Sequence, residues 1–195
     1  MRATLPKWYG ALRMKRSDCL HTRLAAYHDA VYTQAEREAQ FGMFELVTPR
    51  DRREENDALI NAAQTTLHAL GYPETMRIAV SLLLLAEEVM QLDAERLRKA
   101  FGDEVACLVE ASRAVGEPGN AKDWHASLEK FAQAPADCQT LRMALIQAAI
   151  ERGPEPTPQM DFWYAEALAL PAAHPGLRAQ VIARLEADMA ALYAQ

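Results

Sequence analysis

Apolar residues are most concentrated between Ile78 and Ala86, where Ser81 is the only polar residue. A helix that is apolar on nearly every side is usually surrounded by other helices at the centre of a domain. The run is too short to cross a bilayer, because a membrane span needs roughly 20 apolar residues. The pattern therefore predicts a buried central helix at about 73–90.

Elsewhere, apolar residues recur at the three- and four-residue spacing that is typical of amphipathic helices. No stretch shows the period of two that indicates a β-strand. Glycine and proline mark the ends of most segments. The sequence therefore predicts an all-α bundle of about eight helices around the central one. The predicted segments are 17–40, 49–69, 94–100, a helix from 103, 123–132, a helix from 135 to about 152, a helix from 157, and 177–193.

Composition divides the chain into three parts. Residues 1–16 are rich in lysine and arginine and predict a basic N-terminal tail. This tail is either solvated or a docking arm for an acidic partner, with Trp8 and Tyr9 as anchors. Residues 17–153 are predicted to form the main helical domain. Residues 154–195 predict a helical hairpin packed on that domain, where it either completes the core or presents a partner surface.

Helical spacing also predicts which side chains face the core. In the first hairpin helix, Phe162 and Leu168 are predicted to pack inward together with Trp163 and Ala165. Cys107 lies in the apolar run VACLV and is predicted to be a small core residue. In the helix that ends near Gly153, the predicted inward positions are Leu141, Ala144, Leu145, Ala148 and Ala149.

Charge and cysteine content narrow the function classes. The net charge of −6 argues against general nucleic-acid binding, which usually needs a basic surface. The three cysteines are widely spaced and form no CxxC pair, as is typical of a reduced cytoplasm. The first residues lack the apolar core of a secretory signal. We therefore expect a cytoplasmic protein that does not enter the membrane.

The segments AVSLLLLAEEV and LRKAFGDEVACLVEAS carry a resemblance to a known family. They resemble the hydrolase domain of RelA/SpoT-type alarmone enzymes, a branch of the HD superfamily. In that family an HDxxED motif ends a buried helix, and an FGxxVAxLV segment follows. Aligning Phe101 and Gly102 with the second segment places Leu84 and Leu85 at the His-Asp pair and Glu88 at the Glu of the motif. The resemblance implies an HD-like helical domain over 17–153.

The resemblance also implies where metal ligands would lie. His28 is the nearest candidate for the ligand histidine of the first helical segment, although a lone histidine on a helix is more often packed or solvated. The next ligand histidine would lie near Leu59 or Ile60, and the ligand aspartate at Ile150, or at Glu151 if the alignment shifts by one. Aliphatic side chains have no lone pair to donate to a metal. The resemblance therefore predicts an HD-like domain without a metal site or a cofactor.

Two further groups of charged residues are candidates for chemistry. Glu87 and Glu88 are the best remaining acid pair, but adjacent helical residues point about 100° apart, so they do not share one site. Both are predicted to face solvent unless Glu88 lines a pocket. At the start of the second helix, the alternating charges predict either a solvated face or an anion site. The arginines of that candidate site are Arg50, Arg52 and Arg53.

Three functional hypotheses follow. The favoured one is a catalytically inactive HD-like domain that acts as a binding or regulatory module for a protein partner or a nucleotide. The second is an HD-superfamily phosphohydrolase acting on a nucleotide through a rebuilt site with His28, Glu87 and Glu88. The third is an unrelated α-helical chaperone or assembly factor. Signatures of other enzymes, such as GxSxG, HExxH and the Walker loop, are absent from the sequence.

Overall fold

The computed structural model describes residues 19–40, 49–88, 94–116, 121–153 and 157–194. Side chains are described for these ranges except at 34–40, 49–52, 87–88, 157–158 and 193. Within the described residues the chain is all-helical, with nine α-helices, which confirms the predicted fold class. The helices are α1 (Leu20–Gln40), α2 (Pro49–Ala69), α3 (Glu74–Glu88), α4 (Ala94–Phe101), α5 (Asp103–Ser112), α6 (Ala121–Gln133), α7 (Ala136–Glu151), α8 (Thr157–Leu168) and α9 (Pro175–Tyr193).

Helix α3 is the predicted central helix. Every residue from Ile78 to Ala86 is buried, including Ser81. Ser81 is accommodated because its hydroxyl donates to the carbonyl of Arg77 and accepts from the amide of Gln64 at 2.7 Å. Helices α1, α2, α5 and α7 pack around α3. The apolar run therefore lies in the core that its composition predicted.

Helix α7 is buried to a similar extent, which the sequence did not indicate. Met143 and Ile146 are buried, whereas Leu145 and Ala149, both predicted to point inward, are partly exposed. Helix α7 packs against α2, α3, α5, α6, α8 and α9. Several of its faces are therefore covered, and its buried residues do not form a single apolar stripe. Its buried polar residues are Gln139, Thr140, Arg142 and Gln147.

Two of these polar residues join the C-terminal hairpin to α7. The side-chain oxygen of Gln139 accepts from the Ala172 amide at 2.7 Å, and the Thr140 hydroxyl accepts from the His174 amide at 3.0 Å. The following apolar residues belong to the main core: Leu170, Ala173, Leu177, Val181 and Leu185. The second helix of the hairpin therefore contributes to the core of the protein.

Three predictions of inward-facing residues are wrong, two on α8 and one on α5. Phe162 is 48% exposed and Leu168 is 47% exposed, while Met160 and Ala167 of the same helix are buried. Helix α8 is apolar on more than one face, so spacing alone does not select the face that α7 and α9 cover. Cys107 is also exposed, because Val105, Ala106 and Val109 form the buried face of α5.

The turn between α4 and α5 depends on a glycine. Gly102 has φ +94°, a left-handed conformation that side chains with a Cβ rarely adopt. It is the N-cap of α5, and Asp103 is the first residue of that helix. The predicted 1–16 tail lies outside the described residues.

Candidate functional site

Helices α1 and α2 bring together two of the predicted site residues, His28 and Arg53. His28 Nε2 lies 3.0 Å from Asp57 Oδ1, and the His28 side chain is 13% exposed. Among the described residues Nε2 has no hydrogen bond of good geometry, so this is a close polar contact rather than a directed bond, and it becomes an ion pair only when the imidazole is protonated. The His28 ring packs beside the Tyr32 ring with 4.8 Å between the centroids. The imidazole is therefore a largely buried group between the two helices.

Arg53 is held by carboxylates on both helices. Its Nη2 donates to Asp29 Oδ1, and its Nε lies 3.9 Å from Asp57 Oδ2. The guanidinium also lies 5.3 Å from the centre of the Tyr32 ring, within cation–π range. These contacts compensate the positive charge of Arg53 within the protein. Arg53 therefore attracts an external anion less strongly.

We call this group the α1–α2 polar cluster and define it as His28, Asp29, Tyr32, Arg53, Asn56 and Asp57. The cluster contains a buried hydrogen bond, in which Asn56 Nδ2 donates to the Tyr32 hydroxyl at 3.0 Å. With His28 neutral, two aspartates outweigh one arginine, so the cluster is net negative. Such a cluster repels phosphate groups.

The environment of His28 changes its protonation. Burial lowers the pKa of His28 below its ordinary value, and Arg53 lowers it further, while Asp57 and Asp29 oppose both effects. The unfolded chain therefore binds this proton more tightly than the folded chain. By linkage, the free energy of unfolding falls as the pH decreases from about 6.5 towards the folded pKa.

We expect an NMR titration of His28 to give a midpoint below about 6.5, the ordinary histidine pKa. Asp57→Asn should lower the midpoint further, because it removes a carboxylate that stabilises the imidazolium. Arg53→Gln should raise it, because it removes a repelling positive charge. Shifts of the same sign in the two variants would contradict this account of the cluster.

The resemblance to the HD superfamily implies metal ligands at Leu84 and Leu85, near Leu59 or Ile60, and at Ile150 or Glu151. Leu84 and Leu85 on α3, Ile60 on α2 and Ile150 on α7 are buried, whereas Leu59 is partly exposed and Glu151 is exposed. These three helices pack against one another. None of the four buried side chains carries an atom that coordinates a cation.

The side chains of the remaining predicted site residues lie outside the described part of the structure. The backbones of Glu87 and Glu88 are in the last turn of α3, and those of Arg50 and Arg52 in the first turn of α2, but their side chains are not described. Among the described residues, no group of three or more His, Cys, Asp or Glu side chains is arranged to hold a metal ion.

A separate groove of about 680 Å³ lies between α2, the end of α7 and the start of α9. The sequence did not indicate it, because its residues come from three distant segments with no common spacing. Of the residues that line the groove, only Glu151 was a candidate from the sequence, as the alternative to Ile150 for the ligand aspartate. The polar residues of the lining are Asn61, Thr65, Thr66, Gln147, Glu151, His174 and Gln180.

These features define the class of protein: an all-α bundle with a polar cluster between its first two helices and an open polar groove. A comparison with protein-family models finds none that matches the chain. A comparison with curated proteins finds no significant match either. Within the described residues, no helix combines the length and apolar character needed to cross a membrane.

Proposed function

We propose that this protein is a catalytically inactive, HD-like helical domain that acts as a binding or regulatory module. It derives, on this proposal, from the fold of the RelA/SpoT-type hydrolases by replacement of the metal ligands. The single observation that carries the proposal is that Leu84, Leu85, Ile60 and Ile150, which stand at or next to the positions where the resemblance implies metal ligands, are buried aliphatic residues on three helices that pack together.

The chemistry of these four residues supports the loss of hydrolysis. An HD-type hydrolase uses imidazole nitrogens and carboxylate oxygens to hold a divalent cation that activates water against a phosphoester. Leucine and isoleucine supply neither kind of atom. Filling the region with aliphatic side chains instead adds apolar contacts to the core.

The described charges favour a protein partner over a nucleotide. Arg53 is paired with Asp29 and lies near Asp57, so its guanidinium is compensated. Asp29 is 65% exposed although it pairs with Arg53, so a basic side chain of a partner reaches its carboxylate from the solvent side. A nucleotide phosphate would instead meet the net negative charge of the α1–α2 polar cluster.

Metal analysis and an activity assay test the proposal on the full chain. We expect purified protein to contain less than stoichiometric Mn and Zn, and to release no phosphate from guanine or adenine nucleotides supplied with Mn. Glu88→Ala should leave both results unchanged, since no step depends on this carboxylate. Stoichiometric metal, or phosphate release that Glu88→Ala abolishes, would contradict an inactive domain and favour a rebuilt phosphohydrolase site.

A thermal-shift screen then separates the two ligand classes. Selective stabilisation by a nucleotide would indicate nucleotide binding, because a ligand that binds only the folded state raises the melting temperature. We expect no such shift. The same screen is repeated with Asp29→Asn. This control shows how far a change in the polar cluster alters the melting temperature without any ligand.

A further inference from the structure

We propose that the groove between α2, α7 and α9 binds a small organic cation that carries N–H groups, such as a guanidinium or a primary amine. Its volume of about 680 Å³ lies within the range of small-molecule sites. The groove is separate from the α1–α2 polar cluster, so this proposal does not depend on the HD-like origin of the protein.

A buried acceptor in the groove lining is the first observation. Gln147 lines the groove and is 7% exposed. Its Nε2 donates to Glu151 Oε1 at 2.6 Å, and because a carboxylate only accepts, this bond fixes the orientation of the amide. Among the described residues Gln147 Oε1 has no hydrogen-bond partner. This oxygen has almost no solvent-accessible surface, so a ligand N–H satisfies it only when the Gln147 side chain shifts towards the groove.

The hydroxyl groups of the lining are also acceptors. Thr65 Oγ1 donates its proton to the Asn61 carbonyl at 2.7 Å, and Thr66 Oγ1 donates to the Ala62 carbonyl at 3.1 Å. Both protons are used inside α2, so the lone pairs of the oxygens remain for a ligand. Gln147 and the two threonines therefore offer acceptor oxygens to a ligand that carries N–H groups.

The charge of the groove favours a cation. Glu151 is the only charged residue among the described residues of the lining, which contains no lysine or arginine. It is also the last residue of α7, and the C-terminus of a helix carries partial negative charge. The carboxylate is exposed, so an approaching cation reaches it without rearrangement.

The N-terminus of α9, at the other end of the groove, does not offset the preference for a cation. The N-terminus of α9 carries partial positive charge, which on its own would attract an anion. However, the Leu177 amide already donates to His174 Nδ1 at 3.3 Å, so the cap satisfies this donor. Because Nδ1 accepts this bond, the ring proton of His174 lies on Nε2.

Agmatine is a suitable probe, because it carries a guanidinium at one end and a primary amine at the other. We expect agmatine to cause saturable shifts in the side-chain amide of Gln147 and the backbone amides of residues 61–70, followed by NMR on the full chain. Glu151→Gln and Gln147→Leu should each weaken binding by about tenfold, the loss expected for one charge-assisted hydrogen bond.

Glu129→Gln is the matched control, because it makes the same change of charge at an exposed position on α6 outside the groove. It should leave agmatine binding within twofold of the wild type, roughly the size of a non-specific charge effect. If Gln147→Leu does not fold, the exposed Glu151→Gln variant still provides the test.

Three results would overturn the proposal: no saturable shifts with agmatine, equal weakening by Glu129→Gln and Glu151→Gln, or tighter binding of adenosine monophosphate than of agmatine at the same amides. None of these results changes the metal content or the phosphate release described above. Failure of the groove proposal is therefore distinguishable from failure of the proposed function.

Discussion

Arg142→Ala is expected to lower the free energy of unfolding by roughly 3–5 kcal/mol, the cost of breaking a buried ion pair on one side. The side chains of Arg142 and Glu166 are 8% and 6% exposed, and Arg142 Nε donates to Glu166 Oε1. Arg142 Nη1 also donates to the Ser112 carbonyl at 2.7 Å, and the guanidinium lies 4.0 Å from the centre of the Phe131 ring. Removing Arg142 takes a paired positive charge away from the buried carboxylate of Glu166.

Urea denaturation measures this loss, and Arg184→Ala is the matched control. Arg184 pairs with Asp188 one turn away on α9, at 2.7 Å, but it is 56% exposed. Surface pairs of this kind contribute about 1 kcal/mol or less. If Arg142→Ala costs no more than Arg184→Ala, the buried pair is not a main connection between α7 and α8.

A double variant separates the cost of keeping the Glu166 charge in the core from the cost of losing the contacts of Arg142. Replacing both partners with apolar residues, as in Arg142→Met with Glu166→Leu, removes the Glu166 charge as well as the bond. We expect this variant to be more stable than Arg142→Ala by about 2 kcal/mol or more, because an apolar pair often replaces a buried ion pair without loss. A double variant as unstable as the single one would indicate that the bond to Ser112 and the stacking on Phe131 dominate.

Leu85→Ala is expected to cost about 2–5 kcal/mol, the usual range for truncating a fully buried leucine. Leu85 is 0% exposed and belongs to the main core. It also stands at the position where the HD-type hydrolases have the aspartate of their His-Asp pair, as the sequence resemblance implies. A large loss would mean that this position now contributes to the core of the fold.

Leu168→Ala is the control for the Leu85 prediction. Leu168 is 47% exposed, so the same truncation should change the free energy of unfolding by about 0.5 kcal/mol or less. Chemical denaturation of both variants, compared at equal m-values, gives the two differences. A cost below about 1 kcal/mol for Leu85→Ala would indicate that the end of α3 borders a cavity rather than packed core.

The helical segments could be predicted because they depend on local patterns. The central helix was predicted from a nine-residue stretch with one polar side chain, and the structure buries that stretch. The segment 49–69 was predicted because proline and glycine mark the ends of helices, and such signals act within one turn of a helix end. Such signals can be recognised without knowing which other helices pack against the segment.

The candidate sites could be predicted only in part. His28 was singled out on α1, but its contact with Asp57 joins two different helices, α1 and α2. Arg53 was considered as an anion site, and its pairing with Asp29 became visible only in the structure. No pattern in one segment indicates which charged residue of another helix will lie opposite.

The sequence by itself therefore determined that the protein is a helical bundle, where most of its helices lie, and that its central helix is buried. Only the tertiary structure decided that α7 is a second buried helix, that Phe162 and Leu168 remain exposed, and that Gln147 and Glu151 meet α9 at a groove. The physical reason is that helix formation and amphipathicity depend on neighbours along the chain. Burial of a polar residue depends on hydrogen-bond partners that distant helices supply.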